Sequence, residues 1–195
     1  MWLDTAQSTN RAVREASSRL DNLSVIAAVE QTAGRGQGTH TWHSLPGENL
    51  TFSLLARPCN LQTSEIICIT CATTLGIRDY LLSRGVSSRI KWPNDIWVDD
   101  RKICGILIEN KLDGNTVAES IIGIGLNLNQ TSWPADLPNP VSLKQITGKD
   151  YDTHAELEVL AEKICRRLSL LDSAIGRKKL QEEFGKNVFR LHEEP

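Results

Sequence analysis

Short apolar segments alternate with polar turns along this chain, and longer segments carry apolar residues near helical spacing. Short, partly β-branched runs favour strands, whereas apolar positions that recur every three or four residues favour helices. Strands are therefore predicted over residues 24–30, 49–58, 87–95, 96–102, 102–110 and 120–130. Helices are predicted within residues 4–20, 64–85, 141–148, 153–175 and 177–195. The mixture predicts the α+β class, with one mixed β-sheet flanked by helices in a single domain over residues 1–195.

Several of these elements carry end signals. Residues 4–20 are interpreted as a loop followed by a helix, with Ser8 or Thr9 as its N-cap, because a hydroxyl accepts a hydrogen bond from a free backbone N–H of the first turn. Gly85 is interpreted as the stop of the helix over residues 64–85. Thr153 and Glu156 fit a capping box at the start of the long helix.

Composition and charge are those of an ordinary globular protein. Hydrophobic residues make up 40%, charged residues 24%, and the net charge is −2. Such a chain has no basic field that would attract nucleic acid or an anionic membrane, so neither is expected as a partner. We see no run of about 20 apolar residues that would span a bilayer. The N-terminus lacks the zones of a signal peptide, so a cytoplasmic enzyme is expected.

Five cysteines stand at irregular spacing, which is not the pattern of a secreted disulfide framework. Cys68 and Cys71 have the C-x-x-C spacing, but they lie within the predicted buried helix. No second pair and no nearby histidine completes a zinc site, so we predict core cysteines. The sequence leaves open whether the protein binds a metal directly.

A glycine-rich stretch at residues 31–42, QTAGRGQGTHTW, joins the first two predicted strands. Glycines surround its one arginine, Arg35, whose permanent charge suits a carboxylate or phosphate. The stretch can be a loop that closes over an anionic ligand, or a plain surface hairpin. It lacks the G-K-[ST] ending of a Walker A loop and the spacing of a dinucleotide-binding G-x-G-x-x-G motif.

Two further stretches carry chemistry. Residues 91–95, KWPND, form a rigid polar corner at a strand end, or simply a turn with a buried tryptophan. Lys102 enters an otherwise apolar strand, where burial is costly unless an anionic partner is present, and Gly105 allows a close approach to the backbone. The alternative for Lys102 is an edge lysine at a hairpin turn.

These stretches together resemble the catalytic domain of biotin–protein ligases. The motifs QTAGRGQ with a following tryptophan, KWPND, DRKICGILIE and GIGLNLN stand in the family's order and spacing, and the Ser-Thr-Asn near the N-terminus matches too. The resemblance covers roughly residues 3–190. It implies a fold related to class II aminoacyl-tRNA synthetases and lipoate ligases. It also implies an enzyme that uses ATP and Mg²⁺ to form biotinyl-5′-AMP and transfers biotin to a lysine of a biotin carboxyl carrier protein.

The resemblance also assigns site residues. The positions that match contacts to biotin or to the loop over it are Ser8, Thr9, Asn10, Gln31, Gly34, Arg35, Gly36, Gln37, Lys102 and Gly105. The positions that match the nucleotide side are Arg35, Trp42, Asn94, Asp95, Lys102 and Asn127. The residues expected to act in catalysis are Lys102, Arg35 and Asp95.

The chemistry of the implied reaction agrees with this assignment. Its first step joins a carboxylate to the α-phosphate of ATP, and both groups are anions that must be neutralised and aligned. Arg35 and Lys102 are suitable cations. Its second step needs a neutral amine on the acceptor lysine, and Asp95 is the candidate for accepting the proton.

The chain departs from the family pattern in its glycine loop. Gln37 and His40 stand where arginines are common, and Thr39 stands where a glycine is common. We also expect a catalytic domain without an N-terminal DNA-binding domain, hence no repressor role, and without the small C-terminal β-barrel domain.

Two rival functions stay open beside the main expectation. One is a lipoate or octanoate ligase of the same fold, although such enzymes lack KWPND. The other is a non-catalytic biotin-binding module. The sequence leaves a homodimer open and does not identify the acceptor protein.

Overall fold

The computed structural model describes residues 1–189 and shows a seven-stranded mixed sheet flanked by helices. The α+β prediction is therefore confirmed. The strands are β1 (Trp2–Ala6), β2 (Val25–Gln31), β3 (Leu50–Ala56), β4 (Arg89–Lys91), β5 (Asp95–Val98), β6 (Arg101–Asp113) and β7 (Thr116–Leu126). The α-helices are α1 (Thr9–Ala16), α2 (Ile67–Ser83), α3 (Leu143–Thr147), α4 (Thr153–Leu168) and α5 (Ala174–Gly185). The end of the predicted C-terminal helix and tail, residues 190–195, lies outside the described residues.

The strands lie in the order β1-β2-β3-β7-β6-β5-β4. Among the described pairs, β1 and β2 run parallel and all the others run antiparallel. Successive side chains of a strand point to opposite faces. Leu54 of β3 belongs to the main core with α2 and α4, whereas Leu55 packs with Val13 of α1. Helix α1 thus covers part of the face opposite the main helical layer.

The helical layer consists of α2, α4 and α5. Helix α2 is buried over most of its length, and its Tyr80 hydroxyl donates a hydrogen bond of 2.6 Å to Glu156 of α4. By length and composition alone, the segment Thr63–Ser83 could cross a membrane, contrary to our reading of the sequence. Most of this segment is buried within the protein, as expected for a core helix.

Several predicted boundaries were wrong. Residues 4–6, predicted as part of a loop, belong to β1, because residues 2–6 pair with β2 although their sequence, WLDTA, shows no strong strand pattern. The predicted helix over residues 153–175 ends at Leu168, and α5 begins after a short 3₁₀ segment (Ser169–Asp172), with the Ser173 side chain accepting from the Gly176 N–H. Strand β7 ends at Leu126 rather than at residue 130, because the backbone then turns toward α3.

The predicted capping box at Thr153 was also wrong. Asp152 is the N-cap of α4, and its carboxylate accepts a hydrogen bond from the Ala155 N–H. Glu156 instead faces α2, where it accepts from Tyr80 and pairs with Arg84 at 2.8 Å. Glu156 therefore contacts α2 and does not make the capping hydrogen bond that the local pattern predicted.

The close approach of α2 to α4 generates a first prediction. We expect Gly76→Ala to lower the free energy of unfolding by about 1–3 kcal/mol, although alanine is the better helix former. A Cβ at residue 76 would lie 2.7 Å from the Cα of Ile164 and 3.0 Å from its backbone nitrogen, so the helices would have to separate. Urea unfolding followed by circular dichroism measures the change.

Gly185→Ala is the matched control, because no described residue beyond its chain neighbours and its own helix backbone has an atom within 4 Å of the position that the Cβ would take. We expect that variant to be neutral or stabilised by up to about 1 kcal/mol. Equal effects at the two glycines would contradict a tight contact between α2 and α4.

Candidate functional site

A cavity of about 460 Å³ opens on the face of the sheet that carries α1. Gly105 of β6 pairs directly with Gly125 of β7, and Gly123 lies two residues away on the same face. A Cβ at Gly123 would lie 2.1 Å from Oδ1 of Asn10. A Cβ at Gly125 would lie 2.2 Å from Cε2 of Trp42. Three missing side chains therefore form the floor of the cavity, whose volume suits a small molecule.

The start of α1 brings polar groups to one end of this cavity. The Ser8 hydroxyl accepts a hydrogen bond from the Arg11 N–H, which confirms Ser8 as the N-cap. The backbone N–H of Thr9 donates to Oε1 of Gln31 at 2.8 Å, and the Thr9 hydroxyl donates to the same atom at 3.3 Å. These bonds connect the start of α1 to the end of β2, and all three of Ser8, Thr9 and Gln31 line the cavity.

Asn10 is buried in this polar cluster. Its amide nitrogen donates to the Leu107 carbonyl at 3.3 Å and to Oε2 of Glu109 at 2.7 Å. Its Oδ1 accepts from the Ser53 hydroxyl at 2.6 Å. Ser53 also lies 2.7 Å from the Thr9 hydroxyl, so this fully buried serine of β3 supports both residues from beneath. Sequence reasoning missed Ser53, because nothing in an apolar strand marks it.

Lys102 and Asp95 form an ion pair toward the other end of β6. Nζ of Lys102 lies 2.7 Å from Oδ1 of Asp95, and both side chains are mostly buried. The pairing of β5 with β6, which contains a β-bulge at Ile96 and Trp97, brings the end of KWPND beside the lysine. The predicted anionic partner of Lys102 is therefore present. Lys102 does follow the β5–β6 hairpin turn, as the alternative had it, but it does not lie at a free edge. Its N–H donates to the Asn139 carbonyl at 2.8 Å, and its carbonyl accepts from the Val141 N–H at 3.0 Å.

Three buried polar atoms of residues that line the cavity have neither a hydrogen-bond partner nor an ion-pair partner within the described protein. They are Nε1 of Trp42, Nε1 of Trp97 and Oδ1 of Asn127. Buried donors and acceptors in native proteins are nearly always paired, and an unpaired one needs an explanation. Two donors and one acceptor on the lining of one cavity are therefore left without a partner.

The Asn127 and Asn94 amides also fasten the walls of the site. The Asn127 amide nitrogen donates to the carbonyls of Val141 and Lys102, at 3.0 and 3.3 Å. The Asn94 amide nitrogen donates to the carbonyl of Ile106 at 3.1 Å, which holds the KWPND turn against β6. Trp92 of this turn is exposed, so the alternative of a turn with a buried tryptophan was wrong.

The glycine-rich stretch folds as a small hairpin. The Trp42 N–H donates to the Gly34 carbonyl at 3.1 Å, and the Gly36 N–H donates to the His40 carbonyl at 2.7 Å. A Cβ at Gly34 would lie 2.6 Å from the Trp42 carbonyl oxygen, so glycine is needed there for backbone packing. This hairpin places the Trp42 indole over the glycine floor, where its ring also lies 5.8 Å from Nζ of Lys102.

Arg35 does not lie beside Lys102. One terminal nitrogen of its guanidinium is 3.1 Å from each carboxylate oxygen of Glu109. Glu109 and Lys102 are seven residues apart on β6, a span of roughly 23 Å along a strand. Arg35 and Lys102, the two predicted cations, therefore lie at different ends of the site in this structure.

Glu109 contacts two charged side chains, Arg14 and Arg35, although no pattern in the sequence had singled it out. Arg14 of α1 pairs with it at 2.7 Å, in addition to the contacts from Arg35 and Asn10. Burial alone would raise the pKa of Glu109, but the Asn10 hydrogen bond and the charges of Arg35 and Arg14 outweigh burial and lower the pKa below its usual value.

The cavity brings together every predicted site residue except Gly34. The predicted residues that line it are Ser8, Thr9, Asn10, Gln31, Arg35, Gly36, Gln37, Trp42, Asn94, Asp95, Lys102, Gly105 and Asn127. The lining residues that sequence reasoning missed include Gly123, Gly125, Trp97, Trp133, Leu137 and Pro140. The alternating glycines of GIGL were a signal, since alternation in a strand leaves one face bare. Residues 131–140, a proline-rich segment that contains Trp133, Leu137 and Pro140, carried no such signal.

The described part of the chain also bears on the predicted core cysteines and on whether metal-ligating side chains form clusters. Within residues 1–189, no group of three or more histidine, cysteine, aspartate or glutamate side chains could hold a metal ion. Cys68 and Cys71 are buried free thiols, which confirms the prediction of core cysteines. Burial raises the pKa of Cys71 to about 12, so its reactive thiolate is scarce at neutral pH.

Comparison with known proteins identifies relatives of this chain. Residues 2–127 match the model of the Biotin/lipoate A/B protein ligase family. The chain is 35% identical over 161 residues to the Bifunctional ligase/repressor BirA of Bacillus subtilis, which covers 78% of this chain and 48% of the relative. It is 31% identical over 183 residues to the Biotin--[acetyl-CoA-carboxylase] ligase of Paracoccus denitrificans, with 88% and 73% covered. The chain thus spans about half the length of the Bacillus relative.

Solved structures share the fold. The biotin protein ligase of Aquifex aeolicus in complex with biotin and ATP has a TM-score of 0.81 and 26% identity, covering 98% of this chain and 78% of that one. The biotin protein ligase of Leishmania major in complex with biotinyl-5-AMP has a TM-score of 0.79 at 24% identity, covering 99% and 83%. The second likeness supports the fold alone.

The environment of Glu109 generates a prediction about pH. We expect Glu109→Gln to lower the free energy of unfolding near neutral pH, and the difference from the unchanged protein to vanish in acid. Because the pKa of Glu109 is lowered in the folded protein, the carboxylate stabilises the fold at pH values above the ordinary pKa of a glutamate. It loses that contribution as the pH falls through the lower folded pKa. Urea unfolding at about pH 7 and about pH 3 measures both differences.

Glu158→Gln, at an exposed position of α4, is the control. A Glu109→Gln effect that persists unchanged at the acid pH would show that the loss comes from packing rather than from charge.

Proposed function

This chain belongs to the Biotin/lipoate A/B protein ligase family, and we propose that it is an ATP-dependent ligase that activates biotin as biotinyl-5′-AMP. The proposed second step transfers biotin to a lysine of a biotin carboxyl carrier protein. The Paracoccus relative is named for ligation of biotin to acetyl-CoA carboxylase, and the Aquifex structure contains biotin and ATP. Both support biotin, rather than lipoate or octanoate, as the acid that this chain activates.

The observation that carries the proposal is the distribution of polar groups in one cavity. Hydroxyl and amide groups of Thr9, Asn10 and Gln31 lie at one end, and the Lys102–Asp95 pair lies toward the other. A ligand with a hydrogen-bonding ring at one end and a carboxylate at the other fits this order. Biotin has both, with a ureido ring and an aliphatic carboxylate.

In the proposed first step, a biotin carboxylate oxygen attacks the α-phosphorus of ATP, and the bond to the bridging oxygen of pyrophosphate breaks. Two anions must approach each other, so a fixed cation at the reacting carboxylate lowers the barrier. Lys102 is placed for that role, since its ammonium lies within the cavity and is held by Asp95. The Trp42 indole above the glycine floor helps to exclude water, which would hydrolyse the mixed anhydride.

In the proposed second step, the neutral amine of the acceptor lysine attacks the anhydride carbonyl, and AMP leaves. The attacking amine must lose a proton, and Asp95 is our candidate for receiving it. Because Asp95 already contacts Lys102, both residues would act within one small region of the cavity. No covalent bond between biotin and the enzyme is needed.

We expect Mg²⁺ to accompany ATP, where it neutralises charge on the phosphate oxygens. Asp95 is the one carboxylate among the described residues that line the cavity. A single carboxylate fits a magnesium ion that is held mainly by phosphate oxygens and water. In the first step Asp95 would contact this ion or its water, and in the second step it would accept the proton of the amine.

Cellular context completes the proposal. We propose a cytoplasmic location, which the five free cysteines support, because thiols stay reduced there. We propose neither nucleic acid nor membrane as a partner, given the net charge of −2. Homodimer formation stays open.

Release of pyrophosphate tests the function directly. We expect biotin with MgATP to release pyrophosphate and to label a carboxyl carrier domain, whereas lipoate with MgATP gives background signal. Coupled pyrophosphatase assays and mass spectrometry of the carrier measure both. Signal with lipoate alone would contradict the proposal, and biotin binding without pyrophosphate release would indicate a binding module.

Lys102→Ala tests the proposed cation. We expect the rate of biotinyl-5′-AMP formation to fall by about a hundredfold or more, because an electrostatic contact to the reacting group is lost. The circular dichroism spectrum should be unchanged. Lys111→Ala is the control, since Lys111 lies on the same strand and its side chain is 73% exposed. Near-normal adenylate formation by Lys102→Ala would show that another group neutralises the reacting anions.

A further inference from the structure

The carboxylate of Glu109 contacts three side chains that belong to two elements of the site, helix α1 and the glycine-rich hairpin. Oε2 accepts from the Asn10 amide at 2.7 Å, and both oxygens lie 3.1 Å from one guanidinium nitrogen of Arg35. Arg14 of α1 reaches Oε1 at 2.7 Å. Through one side chain, strand β6 is thus connected to the start of α1 and to the glycine-rich hairpin.

Glu109 determines how Asn10 presents its amide. A side-chain amide has two N–H donors on its nitrogen, and both face acceptors here, the Leu107 carbonyl and the Glu109 carboxylate. The oxygen must therefore point the other way, where it accepts from Ser53 and has a second lone pair. Asn10 is held as an acceptor at the end of the cavity that lies near α1, and an acceptor suits the N–H group of a urea.

Arg35 connects the same carboxylate to the hairpin. Its backbone forms a bridge with Thr41 at the base of the hairpin, between the bonds that close the turn. Its side chain leaves that base and crosses to β6. A contact at the base limits the movement of the whole hairpin, including Gly36 and Gln37, which line the cavity.

We propose that Glu109 is a positioning residue, whose carboxylate fastens the glycine-rich hairpin through Arg35 and orients Asn10 toward the ring of the bound acid. The proposal rests on the proposed function in taking that acid to be biotin. In this view Arg35 keeps the hairpin closed over the ligand, and neutralisation of the reacting anions falls to Lys102. Glu109 itself does not touch the ligand.

Hydrogen exchange of the ligand-free protein tests the fastening. Glu109→Gln and Arg35→Gln should each speed exchange in the peptide that covers residues 31–42 by roughly two- to fivefold, the range for a half-exposed ion pair. The informative amides are those of Gly36 and Trp42, which are bonded within the hairpin. Mass spectrometry of the peptide provides the measurement.

Arg14→Gln is the matched control. Arg14 contacts the same carboxylate and is about as exposed as Arg35, at 49% against 46%, but it belongs to α1 rather than to the hairpin. Exchange in residues 31–42 should stay at the level of the unchanged protein. Equal protection of the hairpin in all four proteins would overturn the proposal, and so would an equal loss in the Arg14 variant.

Biotin dissociation tests the consequence for the ligand. We expect Glu109→Gln and Arg35→Gln each to release biotin faster by roughly two- to fivefold. The double variant should be no faster than the more affected single variant, because both substitutions remove the same contact between Arg35 and Glu109. The turnover number with saturating biotin should change less than KM, since the chemistry at Lys102 is untouched. Unchanged dissociation in both single variants would overturn the proposal.

Failure of the proposed function gives a different result. A protein in which Glu109→Gln loosens the hairpin, but which binds no biotin, would support the fastening and contradict a biotin ligase. Biotin-dependent pyrophosphate release with a hairpin insensitive to Glu109 would do the reverse.

Discussion

Gly105, Gly123 and Gly125 stand on one face of two paired strands, and groups from elsewhere in the chain take the place of the missing side chains. Trp42 arrives from the hairpin after β2, and Asn10 arrives from the first turn of α1. Each of these side chains lies where a Cβ on the strand would collide with it. The cavity, the fold of the hairpin and the direction of α1 therefore all depend on the same three positions.

Charge is distributed over this site in two separate groups. Asp95 and Lys102 form a mostly buried pair near one end of β6, and Glu109 gathers two arginines near the other. Buried charge is tolerated only when it is paired and hydrogen-bonded, which is why the mostly buried Lys102 lies against Asp95. Arg14 and Arg35 are about half exposed and share the carboxylate of Glu109. Such pairing holds the side chains in place before any ligand binds.

Much of the fold could be predicted from the sequence because its central strands contain short continuous apolar runs. Strands β2, β3 and β6 and helix α2 were each visible as local patterns. Strand β1 was missed because it depends on pairing with β2, a long-range contact that five residues do not reveal. The end of α4 was missed because its apolar spacing continues beyond the point where the backbone tightens to 3₁₀ geometry.

The site could be predicted in part, and the missing part has a physical cause. Motifs identified the residues whose chemistry is unusual for their surroundings, such as Lys102 in an apolar strand. They did not identify partners that are ordinary in sequence, such as Ser53 beneath Asn10 or Glu109 beside Arg35. The role of these residues comes from neighbours that are distant along the chain. The sequence singled out Arg35 as the one cation among glycines, and we expected it to act together with Lys102. In the structure its guanidinium instead bonds to the Glu109 carboxylate.

The Trp42 ring packs directly against the backbone of Gly105 and Gly125, and this packing limits how such a site can be enlarged. The sheet cannot yield more room, because its residues at this point are already the smallest available. Any enlargement of the chamber, by natural variation or in the laboratory, has to come from the indole above it. Ligand size is thus governed by a residue on a connecting segment, which tolerates substitution far better than a central strand does. A family built on this plan could change the acids that it accepts while leaving its sheet intact.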